Sequence, residues 1–327
     1  MAFEMIVTLG PSVLFERNLR AVSDCGPCIF RINGAHVSST KVGTFVSHVR
    51  RILPEARLMV DLPGNKIRTN SLDFPISLNK GELFELYPYQ VNFPDFYRYV
   101  KKGDEVFASD SIYRFEVVEV VGSTIRLRSH SEGVLTSNKG IHIRGISDRL
   151  PFLFQEDQAL IKAACEHRVN YVSLSFVRTV ADVDEGRKAV ANQGQGGPQL
   201  IVKIEQAAAL QNLEGILNSN EMFNVDRGDL SSDIGMTNLP VAQERIIAMA
   251  KKLNKKLFLA TQFLKYMETH PIPLIPEMVD LHRTLETGIG GIQLSEETAV
   301  GKYPVECVSM IFKMAQQIQG GKLSLAA

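Results

Sequence analysis

Charged and hydroxyl residues recur at the ends of short apolar runs in the last third of the chain. The runs are Leu200-Ile-Val-Lys-Ile-Glu205, Met222-Phe-Asn-Val-Asp-Arg-Gly-Asp229, Leu257-Phe-Leu-Ala-Thr-Gln262 and Gly291-Ile-Gln-Leu-Ser-Glu-Glu297, separated by helix-like stretches. If the runs are parallel strands of one barrel, their C-terminal ends share a face, and Lys203, Glu205, Asp229, Thr261 and Glu297 converge there. A lysine, two carboxylates able to hold a hard cation and a hydroxyl on one rim point to an enzyme with an anionic substrate.

The elements that must position these residues can be followed along the sequence. Met5–Leu9, Cys28–Ile32 and Leu58–Val60 read as strands, with helices over Leu14–Ser23 and Lys41–Leu53 between them. From about Asn65 the pattern changes to short β-rich pieces: Pro75–Leu78, Leu83–Tyr87, Glu105–Ala108, Arg114–Val121, Thr124–Ser129 and Gly140–Arg144. Turn signals such as Asn79-Lys-Gly and Lys102-Gly-Asp split them. After Leu150-Pro151 helix and strand alternate again, through Tyr171–Phe176 and the four runs above, to a last helix over Pro304–Ile318.

Three strands before the β-rich block and five after it make eight. Setting the block aside as residues 66–146 leaves 246 of 327 residues, close to the roughly 250 of a (β/α)8 TIM barrel. The expected fold is therefore α/β, a TIM barrel of residues 1–65 and 147–327 with a small inserted β-barrel domain, 66–146, over it as a lid. An open doubly wound sheet is disfavoured, because no Gly-rich dinucleotide fingerprint follows the first strand.

Composition narrows the function. The 36 basic and 36 acidic residues cancel, so no global field recruits nucleic acid or a membrane surface. No leader-like or membrane-spanning stretch is seen, and a cytoplasmic location is expected. Four cysteines in so long a chain do not make a disulfide framework. Cys25-Gly-Pro-Cys28 has the spacing of a thioredoxin-type redox pair. That chemistry needs a strand before the motif and a helix after it; here a helix precedes and a strand follows, so a turn into a buried strand is expected. Gln193-Gly-Gln-Gly-Gly197 lacks a following Lys-Ser/Thr and reads as a flexible loop.

Eight motifs occur in order: Thr8-Leu-Gly-Pro11, Arg31-Ile-Asn-Gly-Ala-His36, Asp61-Leu-Pro-Gly-Asn-Lys-Ile-Arg68, Ser175-Phe-Val-Arg178, Lys203-Ile-Glu205, Arg227-Gly-Asp229, Ala260-Thr-Gln262 and Leu294-Ser-Glu-Glu-Thr-Ala299. Together they resemble the pyruvate kinase family over essentially the whole chain, the inserted domain included. The family's C-terminal regulatory domain has no counterpart in the sequence, and a homodimer through the barrel is expected.

The resemblance implies phosphoryl transfer from phosphoenolpyruvate to ADP, giving pyruvate and ATP through a metal-stabilised enolate. Glu205 and Asp229 match the ligands of Mg²⁺ or Mn²⁺, although alone they could be solvated rim charges. Lys203 matches the lysine at the transferred phosphoryl, a role compatible with a structural pairing to Glu205. Arg31 matches the phosphoryl-gripping arginine, and Thr261 the hydroxyl that delivers a proton to the enolate. Gly228, Asp229, Thr261, Ser295 and Glu297 are the expected substrate contacts, with the backbone N–H groups after Arg227 holding the substrate carboxylate. Thr8, Pro11, Asn33, His36, Arg68 and Lys139 match nucleotide-side positions.

Departures bear on specificity. Of the family's monovalent-cation site Asn33 and Asp61 remain, but Ala35 replaces a serine and Lys66 a glutamate, so K⁺ is not expected to be required. Asp226 replaces an alanine beside the substrate carboxylate, Glu296 a glycine and Lys265 an acidic residue. An extra carboxylate near an anionic pocket weakens binding unless it is paired or points away. The alternatives are a specialised relative acting on another 2-oxo or 2-hydroxy acid, a metal-dependent pyruvate-enolate aldolase, and a non-catalytic regulatory paralogue.

Overall fold

Apolar runs too short for helices form the strands, and segments with apolar residues every third or fourth position form the helices around them. The computed structural model describes residues 3–320 apart from 71, 110, 111, 144, 145, 147 and 148. Arg144, expected to end the last strand of the insert, and Ser147, expected to reopen the barrel, lie outside the described residues.

The chain opens with β1 (Glu4–Thr8), α1 (Glu16–Cys25), β2 (Cys28–Asn33), α2 (Val42–Ile52) and β3 (Arg57–Asp61). It continues into eight short strands: β4 (Ile67–Arg68), β5 (Ile76–Leu78), β6 (Leu83–Leu86), β7 (Glu105–Ala108), β8 (Tyr113–Val121), β9 (Thr124–Ser129), β10 (Gly133–Leu135) and β11 (Gly140–Ile143). Then come α3 (Gln155–Glu166), β12 (Tyr171–Leu174), α4 (Val180–Ala191), β13 (Gln199–Ile204), α5 (Ala207–Gln211), α6 (Leu213–Ser219) and β14 (Met222–Asp226). The last elements are α7 (Arg227–Ile234), α8 (Leu239–Lys252), β15 (Lys256–Ala260), α9 (Ile275–Glu286), β16 (Gly291–Leu294), α10 (Glu296–Ala299) and α11 (Pro304–Gly320).

Two compact units result, one of Met1–Pro63 with Gln155–Ala327, the other of Gly64–Phe154. In the first, eight parallel strands close in the order β1-β16-β15-β14-β13-β12-β3-β2. Helices cover the outside and side chains fill the inside, so the strands read as nearly continuous apolar runs rather than alternating ones. Ile6, Ile29, Met59, Ile201, Met222 and Phe258 pack into one cluster with Tyr171 against it, a filled interior rather than a pore. At the N-terminal strand ends Glu4 ties three strands together, 2.8 Å from Arg57 and 2.6 Å from Lys256.

In the second unit β4-β11-β7-β8-β9-β6 form an antiparallel sheet, a half-barrel, with β10 and β5 as a separate two-stranded ribbon. Its core holds Phe96, Phe115, Val117, Ile125 and Ile141, and Ile146, Leu150 and Phe154 pack into the same cluster. That packing is why this unit runs on to Phe154.

The Cys25–Cys28 turn joins the end of α1 to the start of β2. Both thiols are free, and burial raises both, Cys28 to about 12. Neither has the lowered pKa that thiol chemistry needs. The Gly-rich loop 193–197 joins α4 to β13 at the N-terminal end of that strand, the end opposite to Lys203 and Glu205.

Barrel closure rests on the register of β1 against β16, Glu4 opposite Gly291 through Val7 opposite Leu294. A Cβ at Gly291 would lie 2.0 Å from the carbonyl oxygen of Glu4 and 2.6 Å from the Phe258 ring. Neither backbone nor a packed ring can yield that much. Gly291→Ala is expected to cost about 3 kcal/mol or more of stability, measured by urea denaturation against wild type.

Candidate active site

Four strand ends on the C-terminal face of the barrel, those of β2, β3, β13 and β14, bring ionisable groups together around Lys203 of β13, which is 5% exposed. Its Nζ lies 2.6 Å from Glu205 Oε1 and 3.6 Å from both Asp61 Oδ2 and Asp226 Oδ2. It also donates to Ser175 Oγ at 3.2 Å, and that hydroxyl in turn donates to the carbonyl of Leu62 at 2.8 Å. Burial works against the ammonium, but Asp61, Glu205 and Asp226 outweigh it and hold the Lys203 pKa above its ordinary value. The lysine stays charged although it is buried.

Arg31 of β2 is fixed beside it. Its Nε donates to Asp61 Oδ2 at 2.7 Å and its Nη2 sits 2.6 Å from the same oxygen, while Nη1 donates to Thr8 Oγ1 at 2.9 Å. Thr8 in turn donates to the carbonyl of Leu294 at 2.7 Å, linking β1 to β16. Burial alone would raise the Asp61 carboxyl; Lys203 and Arg31 reverse that and lower it.

Glu205 is fully buried and accepts the backbone N–H of Phe176 on Oε2 at 2.7 Å. Burial pushes its carboxyl up to about 7, with Asp229 and Asp226 adding to the rise and Lys203 opposing it. Glu205, Asp226 and Asp229 each offer a carboxylate oxygen within 4.8 Å of the others. Glu297 stands apart from that trio: it is buried, caps the Ser295 amide at 2.9 Å, and groups instead with Glu268 and Glu296. Lys265 pairs with Glu268 at 2.7 Å.

Thr261 lies just past β15 in a left-handed conformation, φ 81°, followed by Gln262 at φ 58°. A β-branched residue rarely adopts such a φ without surrounding structure to hold it. Its hydroxyl donates to Asp226 Oδ1 at 2.6 Å. Arg227 clamps the same turn, with Nε and Nη2 on the Thr261 carbonyl at 3.1 and 2.6 Å, Nη1 on Asp280 at 2.7 Å and its guanidinium 3.9 Å from the Phe263 ring centre.

A family model described as pyruvate kinase, barrel domain, matches residues 2–308. The chain belongs to the pyruvate kinase family. The pyruvate kinase of Thermococcus litoralis is 31% identical over 336 residues, covering 98% of this chain and 70% of the relative. Those of Borreliella burgdorferi and Thermotoga maritima are each 28% identical over 97% of this chain, and over 68% and 71% of their own lengths. No described helix is long and apolar enough to cross a membrane.

Pyruvate kinases use a divalent metal, and the chain offers oxygen ligands for one. Three carboxylates within reach of each other suit Mg²⁺ or Mn²⁺ better than a soft metal. Asn33, His36 and Pro11 lie at the β2 and β1 ends, with the side-chain oxygen of Asn33 accepting the Ala35 amide at 3.1 Å and His36 and Pro11 exposed. Lys66, Arg68 and Lys139 belong to the second unit, where the Arg68 amide donates to Asn92 and the Lys139 amide to Thr69, both at 2.8 Å.

Two residues gain weight that their sequence positions only hinted at. Ser175 follows directly on the apolar run of β12, the same strand-end position that marks Lys203 and Thr261. Arg227 is a basic residue between two acidic ones, and only the three-dimensional turn shows that it serves the backbone of Thr261. Removing the central charge tests the whole cluster. Lys203→Met leaves Asp61, Glu205 and Asp226 without their common partner, and a loss of about 3–5 kcal/mol is expected on urea denaturation.

Proposed function

We propose that the chain is a metal-dependent phosphotransferase of the pyruvate kinase type, moving a phosphoryl group between phosphoenolpyruvate and ADP to give pyruvate and ATP. The observation that supports it best is the assembly of Lys203, Arg31, Glu205 and Asp229 at the C-terminal strand ends of the barrel. Phosphoryl transfer is mostly positioning and charge neutralisation, and this set is built for both.

Lys203 supplies a fixed positive charge where negative charge collects on the phosphoryl and enolate oxygens. Arg31 is oriented by Asp61 and Thr8 through three of its N–H groups, which leaves others of its fork for a phosphate oxygen. Glu205 and Asp229, with Asp226 beside them, would hold the divalent cation. The cation would neutralise the phosphoryl and polarise the enol oxygen. Thr261 sits beside the same volume with its hydroxyl proton directed at Asp226. The second unit carries the nucleotide-side candidates Arg68 and Lys139. The partners are then a small phosphorylated molecule and ADP or ATP.

A relative specialised for a different small molecule is the second reading. It is favoured by one observation, the Asp226 carboxylate seated on Thr261 and Gly228.

A lactate dehydrogenase-coupled assay with phosphoenolpyruvate and ADP is expected to show Mg²⁺- or Mn²⁺-dependent turnover that chelator abolishes. Glu205→Gln or Asp229→Asn should lower kcat about 10²–10³-fold, roughly 3–4 kcal/mol of barrier; full activity in chelator would refute the metal role. We further infer that K⁺ is not required, because Ala35 offers no hydroxyl ligand where a serine would. Rates in Na⁺ or Tris buffer should match those in K⁺, and many-fold activation by K⁺ would overturn this.

A further inference from the structure

Donors suited to an anion face one small volume between β13, β14 and β15. They are the Thr261 hydroxyl, the Gly228 amide at the start of α7 and, farther off, the Lys203 ammonium. An amide at a helix N-terminus, a hydroxyl and a buried ammonium are what a ligand's carboxylate would use. Here they already hold a carboxylate. Asp226 Oδ1 accepts from Thr261 at 2.6 Å and from Gly228 at 3.2 Å, and Oδ2 lies 3.6 Å from Lys203.

The fit is close. A Cβ at Gly228 would meet Thr261 Cγ2 at 3.1 Å and Asp226 Oδ1 at 3.4 Å, so glycine lets the amide reach this carboxylate. Thr261 is held at φ 81° to present its hydroxyl, and Arg227 grips the Thr261 carbonyl from the other side. An ordinary cap at a helix start would need only the bond to Gly228. The strained threonine and the lysine are additional.

Formal charge agrees. Arg31 and Lys203 face four carboxylates, Asp61, Glu205, Asp226 and Asp229. One divalent cation would bring the set to neutrality, and without Asp226 the same set would be left with one positive charge for an acid ligand.

We infer that Asp226 is a specificity-determining residue that fills the acid subsite with the chain's own carboxylate. The site then binds the carboxylate of phosphoenolpyruvate more weakly than the same site without Asp226 would, and better takes a phosphorylated ligand whose group at that position is neutral and able to donate a hydrogen bond. The phosphoryl group of that ligand rests on the phosphotransferase reading; the effect of Asp226 on an acid does not.

The test is calorimetric titration of oxalate into wild type, Asp226→Asn and Asp226→Ala at saturating Mn²⁺, with Mn²⁺ affinity measured separately for each protein. Asparagine caps a helix as well as aspartate does, so Asp226→Asn removes the charge and keeps the turn, and Asp226→Ala also empties the space. At least tenfold tighter oxalate binding by either variant is expected, together with a matching fall in KM for phosphoenolpyruvate wherever turnover is seen. Equal or weaker oxalate binding in both variants would overturn the inference. Tighter oxalate binding without turnover by any of the three proteins would uphold it and sink the phosphotransferase reading. Turnover with unchanged KM and unchanged oxalate binding would do the reverse.

Discussion

One buried ammonium organises this face of the barrel. Lys203 reaches carboxylates from three other positions, Asp61 at the end of β3, Glu205 just past its own strand and Asp226 at the end of β14. Desolvating a charge is costly unless partners of opposite sign are already in place. Glu205 follows on the same strand, but Asp61 and Asp226 come from other strands, so the full set is in place only when the barrel has formed. Closure in turn depends on the Gly291 contact between the last strand and the first. Assembly of the site and completion of the fold are therefore one event.

The strand ends also show how a regular scaffold gives irregular side-chain directions. A strand alternates its side chains between two faces, which alone would aim only every second residue at the centre. Phe176 at φ 56°, Thr261 at φ 81° and Gln262 at φ 58° break that alternation just past β12 and β15. The turn at Phe176 presents its amide to Glu205, and the turn at Thr261 presents a hydroxyl to Asp226. Backbone strain of this kind persists where surrounding contacts over-determine it, and Arg227 supplies such contacts at Thr261.

Much of this was legible in the sequence, for physical reasons that differ by level. The eight strands could be read because burial on both faces leaves continuous apolar runs, and the strand-end positions of Lys203, Glu205 and Thr261 followed from the runs themselves. Glu297 shares the strand-end position of the others, and the structure adds that it caps the Ser295 amide and groups with Glu268 and Glu296. Nothing in a linear spacing distinguishes a carboxylate that faces the centre from one that bonds the amide two residues away. Asp226 was visible as an extra carboxylate beside an anionic pocket, but its pairing was not, because that depends on the Thr261 conformation 35 positions later in the chain. The extension of the second unit to Phe154 was also hidden, since Ile146, Leu150 and Phe154 carry no β pattern and are claimed by packing alone.

The two ends of the barrel carry ionic clusters of different character, and the difference bears on what each is for. At the N-terminal end one carboxylate, Glu4, faces two cations, Arg57 and Lys256, and their bonds outweigh burial to lower its pKa. That cluster is self-sufficient; it ties strands together and needs no ligand. At the C-terminal end four carboxylates face two cations, and one of them, Glu205, has its pKa driven up by burial and by its acidic neighbours. A purely structural cluster gains nothing from crowding like charges in a buried volume, because each added carboxylate raises the cost of the others. An excess of two negative charges equals the charge of one divalent cation. The imbalance, more than any single residue, distinguishes this end of the barrel from the other.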